Sequence, residues 1–265
     1  MFTYCSPLYL ISVASSPAVA ALFWYLFKKK NKKTQQILIL AIMLANIIQH
    51  LFKSVIYPQY AGQGFTAISS AYNMCALLIL ASPIALFSKS RKMKNFIYYV
   101  GTIAGFAAII IPAWYIGDPV QSLGWDYFRY YVCHLGLFLS SILPLLFRHH
   151  KAQRKEFWQV GLCFLLALCV ILLNDVIFAA MGLYPQVDIN HFYDSMAAIN
   201  PFGMMGPPAM AQWVLNIVRP FTPSVFLGNN PAGAFVPILW YAIPLYLGVS
   251  LISFVIFSIT DRKKR

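Results

Sequence analysis

Charged residues are scarce in this chain of 265 residues. They make up 10% of the sequence, and only 7 are Asp or Glu. The sequence also has no CxxC pair, no HExxH helix, no Walker glycine loop and no G-x-G-x-x-G fingerprint, which argues against common zinc, redox and nucleotide sites. The 5 cysteines are mostly inside apolar stretches and do not form the framework of a disulfide-rich secreted domain.

Apolar residues, in contrast, are abundant. Hydrophobic residues reach 60% and the mean hydropathy is +0.67, far outside the range of a soluble globular chain. About seven windows of roughly 20 apolar residues, each long enough to span a bilayer, occupy residues 8–27, 36–56, 68–88, 95–116, 127–147, 157–181 and 236–259. The sequence therefore predicts an all-α polytopic helix bundle that forms a single integral membrane domain over residues 1–265.

The net charge of +13 follows the predicted spans. Most Lys and Arg residues fall in four clusters that flank alternate connections: Lys28 to Lys33, Lys89 to Lys94, Arg148 to Lys155 and Arg262 to Arg265. The positive-inside rule makes that side cytoplasmic, with the N-terminus outside and the C-terminus inside. Basic flanks can also hold anionic lipid headgroups, but we favour orientation as their role, and we expect no nucleic-acid partner. The first window lacks a basic n-region and is interpreted as a retained span, not a cleaved signal.

One connection is unusually long. Residues 182–235, on the outer side, are rich in Pro and Gly, and a loop of this length in a compact domain is usually a lid, a binding loop or disordered. Within it, residues 208–218 begin with prolines suited to a first helical turn and include Trp213, a residue typical of membrane interfaces. We expect a short interfacial or re-entrant helix there.

Polar residues inside the spans share one depth. In the second span Asn46, Gln49, His50 and Lys53 follow the spacing of one helical face, and such a stripe should not face lipid. Counted from the outer ends, four residues on four spans lie about six or seven positions deep, roughly 10 Å: His50, Cys75, His134 and Asn174. Considered one at a time, a cysteine in a membrane helix usually acts as a small hydrophobic residue, and a polar residue usually forms a hydrogen bond to a neighbouring helix. Their common depth favours a functional layer.

This layer contains the groups needed for acyl transfer. The Cys75 thiol would be the nucleophile and the His134 imidazole its general base. Asn174 or Asp175 could orient the imidazole, as the third residue does in Cys-His-Asn sites. Nearby donors could stabilise an oxyanion and bind substrate: Asn46, His50, Lys53 and Asn73. At this depth the ester carbonyl of a phospholipid is within reach.

The order of these residues resembles the YwaF-like membrane family, which includes the transmembrane protein 164 acyltransferases. The matching segments are Ala71-Tyr-Asn-Met-Cys75, Phe96-Ile-Tyr-Tyr-Val-Gly101 through to Pro112, Tyr131-Val-Cys-His134, and Leu173-Asn174. The resemblance covers about residues 65 to 185. It implies a polytopic fold in which a Cys and a His carry acyl transfer between phospholipids, roles that map to Cys75 and His134. The chain has Asn73 where the family has a His, and Ala113 where an Asp is common.

The sequence thus predicts a phospholipid acyltransferase or acyl-ester hydrolase with no cofactor and no metal, acting on membrane phospholipids and located in a bacterial plasma membrane. The alternative is a transporter or small-molecule-binding membrane subunit, in which the polar stripe and four prolines line a pathway: Pro83, Pro112, Pro144 and Pro244. Haem or metal binding through His50 and His134 is a third hypothesis without supporting ligand spacing.

Overall fold

The computed structural model describes residues 6–56, 66–112, 125–184, 187–199, 204–207, 213–229 and 234–262. Over these ranges the regular structure is helical, with a single antiparallel bridge between Leu227 and Phe235. The α-helices are α1 (Pro7–Phe27), α2 (Lys32–Leu51), α3 (Lys53–Ile56), α4 (Met74–Phe87), α5 (Arg91–Asn95), α6 (Gly101–Ile110), α7 (Trp125–Leu146), α8 (Phe157–Ala180), α9 (Phe192–Ile199), α10 (Val214–Val218) and α11 (Ala242–Arg262). The predicted all-α class is confirmed.

Six helical segments in the described ranges are long and apolar enough to cross a membrane: Pro7–Phe27, Lys32–Leu51, Arg91–Ile110, Tyr127–Leu146, Arg154–Ala180 and Ala242–Thr260. They fall on six of the predicted windows. The protein is therefore a polytopic integral membrane protein, since helices of this length and apolar composition satisfy their own backbone hydrogen bonds within a bilayer.

The third predicted window, residues 68–88, is only partly helical. A 3₁₀ turn, Ala67–Ser69, precedes α4, which has 14 residues and a length of roughly 21 Å. The Asn73 side-chain oxygen accepts the Ala76 N–H at 2.9 Å, so this residue caps α4 and ends the turn region before it. The helix is consequently shorter than the expected span.

The second window divides near its outer end. α2 begins at the Asn31 cap, whose side chain accepts the Thr34 N–H at 2.9 Å. Phe52 then leaves helical geometry with φ −99° and ψ 24°, and α3 follows. His50 thus lies in the last turn of α2 and Lys53 begins α3.

The helices form two compact units, one comprising residues 1–65 and 78–151, the other residues 66–77 and 152–265. In the first unit, α7 packs on α1, α2 and α6. Hydroxyl contacts join α1 to α7, with Tyr127 donating to Ser12 at 2.8 Å and the Ser15 and Tyr131 oxygens 2.6 Å apart. Polar side chains in these apolar helices are therefore satisfied by neighbouring helices.

The segment Arg91–Ile110 is a continuous helical span with a π-helical turn, Phe96–Val100, between α5 and α6. All five residues of that turn are buried. The turn coincides with the Phe96-to-Gly101 motif picked out in the sequence, and π-turns often accompany functional sites.

The second unit is built on α8 and α11, which pack along each other. α8 ends at Ala180, and Gly182, two residues later, has a φ of +68°, a conformation that favours glycine. The Gly182 and Leu183 N–H groups donate to the Ala179 and Phe178 carbonyls at 3.0 and 2.9 Å. The end of this helix is thereby closed by its own backbone.

The long outer connection is partly folded. A buried cluster joins Ala67 and Ala179 to four residues that follow α8: Tyr184, Val187, Met196 and Met205. Of the predicted helix at 208–218, α10 covers Val214–Val218, Trp213 is 62% exposed, and residues 208–212 lie outside the described ranges.

Candidate functional site

His134 lies on α7 with its ring held from one side. Its Nδ1 is 2.7 Å from the Tyr130 carbonyl oxygen, one turn earlier. A carbonyl only accepts, so Nδ1 donates and the hydrogen-bond network assigns the neutral ring the tautomer with a lone pair on Nε2. The Tyr130 and His134 ring centroids are 4.1 Å apart. The half-buried imidazole is thus oriented, with Nε2 as its proton-accepting atom.

Glycines on α6 hold this part of α7 close. A Cβ added at Gly105 would meet the Phe138 nitrogen at 2.7 Å and the His134 carbonyl oxygen at 3.0 Å. The Phe106 and Phe138 rings stack beside this contact at 5.3 Å. Backbone-to-backbone packing of this kind requires small residues, and it fixes α7 at the residue that carries the imidazole.

The polar stripe of α2 and α3 is buried. Asn46, His50 and Lys53 are 5%, 6% and 3% exposed, as expected for a stripe that does not face lipid. The Asn46 Nδ2 donates to the Cys133 carbonyl at 3.1 Å. A Cβ at Gly136 would meet Asn46 Cγ at 2.9 Å. The stripe therefore packs against α7 along Cys133 and Gly136.

Around the Cys133 side chain, this seam between α2 and α7 is polar and positively charged. The Gln49 side chain, Arg129 and Lys53 all lie close enough to this thiol to act on it electrostatically. The buried Asn46 Oδ1 and Gln49 Nε2 have no hydrogen-bond partner among the described residues. The seam thus contains two cations, Lys53 and Arg129, and two polar atoms, Asn46 Oδ1 and Gln49 Nε2, that lack a hydrogen-bond partner among the described residues.

In the second unit, Cys75 is the second residue of α4 and its thiol is half-buried. It lies beside the Asn73 cap, whose side-chain oxygen is engaged by the Ala76 N–H. The amide NH₂ of Asn73 is the group that would donate to the oxyanion in the predicted reaction. A thiol in the first turn of a helix faces the positive end of the helix dipole.

Asn174 and Asp175 lie on α8 in the same unit. The Asn174 Nδ2 donates to the Ser70 hydroxyl at 2.9 Å and to Asp175 Oδ1 at 3.3 Å. Asp175 is fully buried, and its Oδ2 has no hydrogen-bond partner in the described part of the chain. Burial raises the pKa of Tyr184, just beyond α8, and the Asp175 charge adds to that rise. These residues form a connected polar group beneath the outer loop.

The structure therefore groups the predicted site residues into two sets. The first unit contains Asn46, His50, Lys53 and His134, and the second contains Asn73, Cys75, Asn174 and Asp175. The Cys75–His134 pair and the single polar layer combine residues of both units and stay predictions. The orienting role of Asn174 also stays a prediction, while the Tyr130 carbonyl supplies one orienting bond to His134.

Sequence reasoning did not select Tyr130, Cys133 or Ser70 as site residues. Tyr130 contributes through its backbone, which no residue type reveals. Cys133 is four residues after Arg129 and three before Gly136, so helical spacing could have placed it on the face toward the stripe. No group of three or more His, Cys, Asp or Glu side chains in the described ranges could hold a metal ion.

Comparison with known proteins identifies the family. The family model described as TMEM164 family matches residues 2–257, nearly the whole chain. No curated protein and no solved structure matches the sequence. On the match over residues 2–257, this polytopic membrane protein belongs to the TMEM164 family.

Proposed function

We propose that this protein is a cofactor-independent phospholipid acyltransferase or acyl-ester hydrolase that acts at outer-leaflet depth. Cys75 is the nucleophile, His134 the general base and Asn174 an orienting residue. The observation that carries the proposal is the state of His134, whose Nδ1 is engaged by Tyr130 and whose Nε2 is thereby the basic atom. Membership of the TMEM164 family supports the same chemistry through the resemblance noted in the sequence.

The base is suited to its task because only one ring nitrogen can accept a proton. A bond from Nδ1–H to a fixed acceptor selects this tautomer, as a carboxylate does in Ser-His-Asp sites. A backbone carbonyl stabilises the protonated imidazole less than a carboxylate would, which suits a thiol, since thiols are more acidic than hydroxyls.

The nucleophile is suited to its task by its place in α4. The N-terminal end of a helix stabilises negative charge, so it favours the thiolate of Cys75. The Asn73 NH₂ is the kind of donor that stabilises a tetrahedral oxyanion.

The reaction then proceeds in two steps. The Cys75 sulfur attacks the ester carbonyl, its proton passes to His134, and the C–O bond breaks as that proton moves to the departing lysophospholipid oxygen. A thioester forms on Cys75. An acceptor hydroxyl or water then attacks it, again with His134 as base, and the products are a new ester or a free fatty acid plus the restored thiol.

The α2–α7 seam supports a phospholipid as the substrate. Lys53 and Arg129 lie near the same thiol, and cationic side chains bind phosphate. Asn46 and Gln49 add one polar atom each that has no hydrogen-bond partner among the residues that the structure describes, and such atoms suit a glycerol or ester group. We propose Asn46, His50 and Lys53 as headgroup contacts, with Asp175 beside Asn174, and the outer leaflet of a bacterial plasma membrane as the location.

The test is turnover of labelled phosphatidylcholine by purified protein in mixed micelles. Cys75→Ala and His134→Gln are expected to lose at least about 1,000-fold in rate, the scale seen when a nucleophile or its base is removed. Cys169→Ala is the matched control, because this free cysteine is exposed on α8, and it should retain full activity. Acylated protein should release its label with neutral hydroxylamine, as a thioester does. Full turnover by Cys75→Ala would refute the proposal.

The buried stripe also fits the alternative of a transporter. Lys53 is only 3% exposed, and ionisable residues at membrane depth often mark a substrate pathway. Substrate flux into proteoliposomes that survives loss of both Cys75 and His134 would favour transport over acyl transfer.

A further inference from the structure

On the predicted basic side of the membrane, the start of α8 and the 3₁₀ turn before it, Arg154–Glu156, form a pocket of about 580 Å³ with Phe254 of α11. Five residues line it: Gln153, Arg154, Lys155, Phe157 and Phe254. This volume is within the range of small-ligand sites, about 300–1,000 Å³. Among these five described residues there are two cations and two aromatic rings but no carboxylate.

The aromatic part of the pocket positions one of its cations. The Arg154 guanidinium carbon lies 4.5 Å from the centre of the Phe254 ring. Phe157 meets the same ring edge-on, with centroids 5.3 Å apart and an interplanar angle of 77°. A cation–π contact engages the charge of a guanidinium but leaves its N–H groups able to donate to an anion. The arginine is therefore held where it can bind one.

The neighbouring carboxylate does not line the pocket. Glu156 is 7% exposed, and its Oε2 accepts the Gln153 N–H at 3.0 Å within a capping box. Its charge is used to start the helix that carries Phe157. Arg154 and Lys155, in contrast, are both exposed and present their charge to the pocket.

The limits of the candidate span indicate that the pocket is near the lipid headgroups. The candidate span Arg154–Ala180 begins with its two cations, and Trp158 nearby is 41% exposed, as is common at membrane interfaces. A phospholipid in this leaflet would bring its phosphate to the level of Arg154 and Lys155 and its first acyl carbons to the level of Phe157 and Phe254. Basic pockets at span ends suit anionic headgroups.

We propose that this pocket is a binding site for an anionic glycerophospholipid of the basic-side leaflet. Arg154 and Lys155 bind its phosphate, and Phe157 and Phe254 contact the start of an acyl chain. The site is at the opposite end of α8 from Asn174, and it does not depend on the proposed reaction.

The test uses intact, delipidated protein in a neutral detergent, with short-chain phosphatidylglycerol as the probe and native mass spectrometry or calorimetry as the readout. Phosphatidylglycerol is expected to bind more tightly than phosphatidylcholine. The double variant R154Q/K155Q should bind it on the order of 30-fold more weakly, since each cation near an anionic lipid contributes about a fivefold effect. The matched control K89Q/K92Q removes two exposed cations from the same membrane side and should change affinity less than twofold.

Phe254→Leu tests whether the lipid binds in this pocket or is attracted only by the positive charge of the surface. The substitution removes the ring under Arg154 and leaves every charge in place. It should weaken phosphatidylglycerol binding several-fold, and it carries the test if the double variant does not fold. Equal losses in R154Q/K155Q and K89Q/K92Q would overturn the proposal. So would equal affinity for phosphatidylcholine, or competition by inorganic phosphate at the same concentration as the lipid, which would indicate a free-phosphate site.

Discussion

Gly105 offers the sharpest test of how the helices position His134. A Cβ at this residue would lie 2.7 Å from the Phe138 nitrogen and 3.0 Å from the His134 carbonyl oxygen. Ordinary contacts begin at 3.4 Å, so Gly105→Ala requires α6 and α7 to separate by about 0.7 Å. The obstructing atoms belong to the backbone and cannot rotate away.

The cost follows from close packing. A gap of 0.5–1 Å forfeits about a quarter to a half of the dispersion attraction across a contact, and overpacked cores lose about 1–3 kcal/mol. Alanine recovers about 0.8–1 kcal/mol of helix propensity. We expect Gly105→Ala to lower the free energy of unfolding by up to about 2 kcal/mol. It should also reduce acyl-transfer turnover, since the added methyl group displaces the backbone of His134.

Gly248→Ala is the matched control. Gly248 lies inside α11, and a Cβ there would meet nothing within 4 Å, so the same substitution should stabilise the protein by up to about 1 kcal/mol. Denaturant titration in detergent micelles, followed by circular dichroism, measures both variants. A Gly105→Ala protein as stable as Gly248→Ala would refute the reasoning.

Two further predictions concern a helix cap and a surface pair. Asn73→Ala removes the acceptor for the Ala76 N–H and should lower the free energy of unfolding by about 1 kcal/mol, whereas Asn73→Asp keeps the cap. Thermal unfolding compares the two variants, and equal stability would contradict the capping role. His191 and Asp188 are joined by a 2.8 Å contact that raises the pKa of the imidazole and, with the Asn190 N–H, lowers that of the carboxyl. Their mutual stabilisation is fully present between the ordinary pKa values of Asp and His, about 4 and 6.5; it is lost as pH falls through the lowered Asp188 pKa and as pH rises through the raised His191 pKa. NMR titration should therefore show the His191 pKa falling toward its ordinary value in Asp188→Asn, and an unchanged value would refute the pairing.

Much of the fold could be predicted because a bilayer imposes a simple rule. Apolar runs of about 20 residues become spanning helices, and six of the predicted windows match helices of that kind. The third window is different because Asn73 caps α4 at Met74. Hydropathy averages over a window, and it does not register where a single side chain starts a helix.

The residues of the candidate site could be predicted from the sequence, but their hydrogen-bond partners could not. The spacing of Asn46, His50 and Lys53 indicated one helical face, and the structure buries that face. Helical spacing could have placed Cys133 on the face toward this stripe, but the bond from Asn46 goes to the Cys133 backbone carbonyl, which no residue type reveals. The tautomer of His134 likewise depends on a carbonyl, which every residue has.

By itself the sequence determined that this chain is an α-helical membrane protein, since the number and length of its apolar runs and the placement of its charges set that outcome in a bilayer. It also determined which reactive side chains were available. Only the tertiary structure decided how they are held: Gly105 brings α6 against the backbone at His134, Tyr130 selects the basic nitrogen, and Arg154 is positioned over Phe254. These outcomes depend on contacts of 3 to 5 Å between residues that are remote in sequence, or on contacts with backbone atoms. The type of a single residue reveals neither kind of contact.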